Sequence, residues 1–364
     1  MNIFSPLRSL PPRQRQAFTL VEVLVSMVIL AMIMLIITQV IGQAQRSWRS
    51  ASSRVTQFRE ARIAFDTITR NLRQATLNSY RNFFYLSTGN QVPADVRETP
   101  DGYKRYAELG FRTDNAATIV SNAGGVDALP GHAVMFQAPL GKSITPSPVP
   151  GISMYDQLKN LLCIRGYFVR YSSDSNYVPA GLRGRLTEKY RYRLYEYRPP
   201  SEVNAAYHEA ADGTTDGAWT NINAASAASY IAPVAENIVL LVLAPSFADQ
   251  TSVAAAPKIS SLERGTLYTY NSFVGSQGGA VAVEQHRLPR AVQVTLVAVD
   301  EESAKRLAEQ NGGSSPNLLG KAGVSFANPV SYDQDMNSLK QTLTEMRMNY
   351  RVFSSTVLIP GADI

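Results

Sequence analysis

The chain has 364 residues, with 35 Lys and Arg against 29 Asp and Glu, three His and one Cys. That length leaves room for an apolar anchor plus one large or two small domains. The single Cys163 excludes an intrachain disulfide framework, and the basic excess is too dispersed to suggest nucleic-acid binding.

The first element in chain order is the most informative. From Phe18 to Ile37 the only polar residues are Thr19, Glu22 and Ser26. A helix of that length is about 30 Å long, which matches the hydrocarbon core of a bilayer. Arg8, Arg13 and Arg15 precede it and no acid does, so the N-terminal arm is expected on the cytoplasmic side, with the bulk of the chain outside the cytoplasm. Removing residues 1–17 takes those three arginines from the formal +6 and leaves +3. Glu22 is the odd residue. A carboxylate at membrane depth costs roughly 2.5 kcal/mol or more, so it calls for a compensating cation.

A cut between Ala17 and Phe18 would create one, the new α-amino group of Phe18. A basic leader, a small residue, then FTLVEVLVSMVIL with Glu at the fifth mature position resembles the type IV pilin and type II pseudopilin signature. The resemblance implies that a prepilin peptidase removes the leader and methylates the Phe18 amine, and that Glu22 serves assembly by pairing with a neighbour's amine. That family usually has Gly before the cut, and here Ala17 stands there. An ordinary uncleaved signal anchor accounts for the apolar run and the arginines but not for Glu22. A secretory signal cut near Gly42-Gln43-Ala44 would leave an unusually long apolar region.

No proline occurs between Pro12 and Pro93, so the helix is expected to continue to about residue 78. Val55, Phe58, Phe65, Ile68 and Leu72 recur at helical spacing, with Trp48 seven residues before Val55. This stripe is expected to pack on the exported domain. Short apolar runs follow, each bounded by Gly, Pro or Asn: YAELGFRT, HAVMFQAPL, CIRGYFVRY, YRYRLYEYR, NIVLLVLAP, AVQVTLVAV and YRVFSSTVLI. All read as strands, with Cys163 a buried apolar residue in its run. Tyr190, Tyr192, Leu194 and Glu196 alternate with Arg191, Arg193, Tyr195 and Tyr197, which predicts at least one wet face. Segments 201–235 and 245–262 read as surface loops. Helices are expected over Asp300–Gln310, which starts with acids and stops at Asn311-Gly312-Gly313, and over Asp335–Met348, with Met336, Leu339, Leu343 and Met346 on one face. Tyr350–Ile359 is expected beside AVQVTLVAV.

The segments FREARIAFDTITRNLRQAT, ENIVLLVLAP and LPRAVQVTLVAVDEE resemble the minor pseudopilin J of type II secretion. Blocks from AFTLVEVLVSM through RYRLYEYRPP and VQVTLVAVDEESAKRL to NYRVFSSTV are similar to the Verru_Chthon cassette protein C family. The fold class expected is α+β: a long N-terminal transmembrane helix packed on an antiparallel sheet, pilin-like, with extra helices and long loops. The expected boundaries are a leader at 1–17, the long helix at 18–78 with its transmembrane and assembly part at 18–41, and a β-rich exported domain at 79–364.

Chemistry is sparse. His132, His208 and His286 lie in unrelated contexts with no Cys at ligand spacing, which argues against zinc. Neither GxSxG, HExxH nor CxxC occurs. The GKS at Gly141–Ser143 fails as a phosphate loop because Phe136 stands where that motif needs Gly. Asp212, Asp216, Asp333 and Asp335 read as turn and helix-cap acids rather than a calcium loop. No catalytic residue, cofactor or metal is expected, and the chain is not expected to be an enzyme.

The function expected is a structural pilin-like subunit, minor or at the tip, in a type II secretion or type IV pilus-like filament. It would sit in the inner membrane as a single pass with its C-terminal domain periplasmic. The expected partners are the prepilin peptidase and methyltransferase, other pilin-like subunits, an inner-membrane assembly platform and the lipid bilayer, with no nucleic acid. One alternative is an uncleaved anchored adhesin that never polymerises. Another is an exported enzyme on a pilin anchor.

Overall fold

The computed structural model describes residues 19–84, 99–123, 128–143, 161–203, 218–246, 268–273 and 286–363. The chain divides into two compact units, Met1–Ser53 and Arg54–Ile364. An apolar N-terminal helix is followed by antiparallel sheets and several further helices, which is the α+β class expected.

Helix α1 runs Leu20–Leu72 without a break, consistent with the lack of proline. It stops six residues before the expected end. Its last turn tightens, with the Gln74 N–H donating to Asn71 O and Ala75 N–H to Leu72 O, and the Thr76 N–H then donates to Gln137 O of the sheet. A sheet hydrogen bond thus takes over the backbone that propensity alone would have kept helical. Within the second unit the expected stripe is buried through Phe65, Ile68 and Leu72, with Phe58 half-buried. Ala61 and Ala64 complete it, and their small size lets the helix approach closely. Trp48 belongs to the first unit.

Six strands form the main sheet, in the order β11-β3-β5-β6-β7-β9. They are β3 (Phe111–Asn115), β5 (His132–Ala138), β6 (Cys163–Ser173), β7 (Tyr190–Tyr197), β9 (Ile231–Glu236) and β11 (Tyr270–Asn271). Alternation sorts the side chains cleanly onto its two faces. Val134, Phe136, Tyr167, Val169, Tyr192 and Leu194 face the larger core. There they meet the last turns of α1, a second sheet, and helices α3 (Glu301–Asn311) and α5 (Tyr332–Glu345). The second sheet has the order β10-β12-β13, with β10 at Ile238–Ser246, β12 at Ala291–Val299 and β13 at Tyr350–Leu358. Strand β13 pairs antiparallel with β12 along its length, as expected.

Four expectations need correcting. Strand β7 has no wet face over Arg191–Tyr195, where at least one was expected, because a second core covers its Tyr195 side. That core brings Ala133, Met135, Phe168 and Tyr195 under helix α2 (Ala116–Ile119), Trp219, Ile222 and Phe273. The two arginines are buried because each has a carboxylate: Arg191 meets Glu301 at 2.7 Å and Arg193 meets Glu236 at 2.9 Å. Second, segment 201–235 is not all loop, since its end forms β8 (Ile222–Asn223) and β9. Third, YAELGFRT is split between β2 (Gly102–Tyr106), which pairs with β1 (Tyr80–Phe84), and β3. Fourth, α5 starts and ends three residues earlier than expected; it stops there because Arg347 takes a left-handed conformation (φ +54°). Strand β4 (Val120–Ser121) pairs with β8, and α4 (Leu318–Ala322) is a short helix outside the expected set.

Helix α3 ends as its sequence suggests. Asp300 accepts from the Ser303 N–H at 3.0 Å, and Gly312 closes it in the left-handed region. Leu72 is fully buried at the junction of α1 and the sheets. Leu72→Ala should cost about 2–5 kcal/mol by deleting buried methyls and leaving a cavity, read as a lowered urea midpoint.

Candidate functional site

Among the described residues, the N-terminal end of α1 carries the arrangement that chemistry singles out. Thr19 precedes the first helical residue, and Glu22 stands three residues later in the first turn. The Thr19 N–H donates to Glu22 Oε2 at 3.1 Å, the Thr19 hydroxyl donates to the same oxygen at 3.2 Å, and the Glu22 N–H donates to Thr19 Oγ1 at 3.3 Å. This is a reciprocal capping box, in which side chains satisfy backbone N–H groups that a helix start leaves without partners. The carboxylate also lies where the helix dipole favours negative charge. Thr19 is therefore a site residue that the sequence reading passed over. Its signal was the T-x-x-E spacing directly before an apolar run.

From this cap the apolar helix continues. Leu20–Gln45 is long and apolar enough to cross a membrane, with a mean hydropathy of 3.0. At 1.5 Å per residue those 26 residues span about 39 Å, more than a bilayer core needs. Ser26 and Thr38 return their hydroxyls to the helix backbone, to Val23 O and Met34 O, so neither presents an unsatisfied donor to lipid. Ala17 and Phe18 lie outside the described residues.

The other candidate residues are placed as follows. His132 is fully enclosed at the start of β5. Its Nδ1 accepts from the Leu243 N–H at 3.1 Å and its Nε2 lies 3.1 Å from Phe326 O. The ring must therefore be neutral with its proton on Nε2, and burial pulls its pKa down to about 4. His286 is buried in a left-handed turn, its ring against Tyr106 and Phe273. His208, Asp212 and Asp216 lie outside the described residues. Asp333 and Asp335 stand in the first turn of α5, where the helix dipole favours negative charge, and Asp335 accepts from the Ser331 hydroxyl. Cys163 is buried opposite Ala138, and burial pushes its thiol up in pKa. Among the described residues no group of three or more His, Cys, Asp or Glu side chains is placed to hold a metal ion.

Residues 12–38 match the prokaryotic N-terminal methylation motif. The matched stretch contains Ala17, Phe18, Thr19 and Glu22, so the chain carries a type IV pilin-like processing signal at the start of its apolar helix. No curated protein and no solved structure matches the chain.

Proposed function

We propose that this chain is a pilin-like structural subunit, cut between Ala17 and Phe18, methylated on the Phe18 amine, and assembled through its apolar helix. The observation that carries the reading is the coincidence of the methylation motif with a membrane-length helix whose first turn contains its single carboxylate, Glu22. Cleavage creates a cation one residue before Thr19, beside the capping box. Glu22 then meets the Phe18 amine of a neighbouring copy, and in low dielectric this fixes axial register, because a misregistered subunit leaves both charges unpaired. The chain is held as a single pass in the inner membrane, with the second unit on the periplasmic side. Its size and its J-like segments favour a minor or tip subunit over the bulk repeating one, working with a prepilin peptidase, other pilin-like subunits and an assembly platform. Its role is structural rather than enzymatic.

One observation favours a second reading. The capping box already satisfies Glu22 within its own helix, so the residue has a use that needs no neighbour. An anchored, non-polymerising surface protein would need no more.

Co-expression with a prepilin peptidase tests the first reading. The chain should shorten by the length of the leader, Ala17→Gly should cleave at least as completely, and a bulky Ala17→Phe should block the cut. A chain that stays full length with Gly at position 17 would rule the proposal out.

A further inference from the structure

The apolar part of α1 runs straight into basic sequence. Between Glu22 and Glu60 the chain has no acidic residue, yet arginine stands at Arg46, Arg49, Arg54 and Arg59. Arg46, Trp48 and Arg49 belong to the first unit and lie within the unbroken helix. At 1.5 Å per residue, Arg46 is about 8 Å along the helix past Ile41, the last large residue of the apolar run, and Arg49 about 12 Å past it. The polar headgroup region adds roughly 5–8 Å to each side of a bilayer core. A helix crossing with Ile41 at the edge of that core therefore brings Arg46 into the headgroups, with Trp48 and Arg49 at their outer rim. Trp favours the membrane–water interface. Arg46 and Arg49 are also three residues apart, the spacing at which helical neighbours meet, so their charges repel. The positions three and four residues to either side of them, Gly42, Gln43, Gln45, Ser50, Ser52 and Ser53, hold no acid that would relieve the repulsion. An anion from outside the helix would.

We infer that Arg46 and Arg49 bind the headgroups of anionic phospholipids in the leaflet where the helix emerges, with Trp48 as the interfacial anchor between them. Guanidinium groups donate in pairs to phosphate oxygens, which fixes the lipid as well as attracting it. Only a lipid with net negative charge supplies the charge that the pair lacks, because a zwitterionic headgroup cancels its own. An acidic surface on a neighbouring protein is the rival occupant. The inference needs α1 to cross a membrane and nothing more, so an uncleaved or unassembled chain would carry the same lipid site.

The full chain should be placed in phosphatidylcholine nanodiscs with a trace of nitroxide-labelled lipid, either phosphatidylglycerol or phosphatidylcholine, labelled at the same upper position of the acyl chain. Quenching of Trp48 reads the lipid beside the pair, over a constant background from Trp219, which is buried in the second unit. At equal trace levels, labelled phosphatidylglycerol should quench about five times as strongly as labelled phosphatidylcholine. Arg46→Gln combined with Arg49→Gln should bring that ratio to about one, while quenching by labelled phosphatidylcholine, which reports the depth of Trp48, stays the same. Arg46→Lys with Arg49→Lys should keep most of the preference, and Arg59→Gln, further along the chain, should keep all of it. Raising the salt to about 1 M should shrink it. Equal quenching by the two lipids, or a preference indifferent to the double Gln change or to salt, would overturn the inference and leave the pair to a protein neighbour or to water.

Discussion

Glu22→Gln should reduce assembly by about 5- to 30-fold while leaving the membrane helix intact. The reasoning rests on two jobs that one side chain performs. As a cap residue Glu22 accepts from the Thr19 N–H and hydroxyl, and Gln serves that purpose nearly as well. As a partner for a neighbour's Phe18 amine it must be charged. Hydrogen bonds to charged groups contribute about 1.5–3 kcal/mol against 0.5–1.5 for neutral pairs. The difference of about 1–2 kcal/mol per contact sets the expected range, at 1.4 kcal/mol per factor of ten. Glu22→Val removes both jobs and should assemble least, although it makes the segment more apolar. Crosslinking of subunits in membranes, normalised to anchored protein, reads all three chains. If Gln matches the native chain and only Val falls, Glu22 acts as a cap; if all three chains crosslink alike, the non-polymerising reading gains the ground.

Acid should weaken the second unit through His132 by about 3 kcal/mol between pH 6.5 and pH 4. The folded ring titrates near 4 and a free histidine near 6.5, so within that window the unfolded chain binds the extra proton. Stability from this group is therefore complete above pH 6.5, falls as the pH drops, and stops falling below about 4. The cause is burial first, opposed in part by the hydrogen bond to Phe326 O and by the Asp114 charge. Protonation would also strip the Leu243 N–H of its acceptor on Nδ1. His132→Leu should start less stable, because Leu243 N–H and Phe326 O lose their partner, yet it should lack this slope. Urea midpoints for both chains across pH 4–7.5, followed by near-ultraviolet circular dichroism, make the comparison. Parallel curves would refute the assignment.

Much of the fold was legible because burial and periodicity agreed. Phe65, Ile68 and Leu72 announced the packed face of α1, and Met336, Leu339 and Leu343 that of α5. Asp300 and Gly312 bracketed α3 by capping alone. What stayed hidden depends on partners distant in the chain. At least one face of β7 looked wet, because Glu236 and Glu301, 43 and 110 residues away from Arg193 and Arg191, cannot be paired with them from spacing. Strand β9 was masked by its Ala- and Pro-bearing IAPVAE, which an edge position tolerates. The second core escaped notice because Ile119, Trp219 and Phe273 come from three short segments, none of which is periodic. At the candidate site, Glu22 stood out as a charge in an apolar run, whereas Thr19 looked like an ordinary polar residue at its edge. Its T-x-x-E spacing before the apolar run was the signal, and the reciprocal hydrogen bonds give it meaning.

The central claim, that this chain is a processed pilin-like subunit, stands or falls on its N-terminus. The protein should be taken from native membranes and its N-terminal peptide weighed. The account predicts a chain that begins at Phe18 and carries one added methyl group. An intact peptide beginning at Met1 would contradict it.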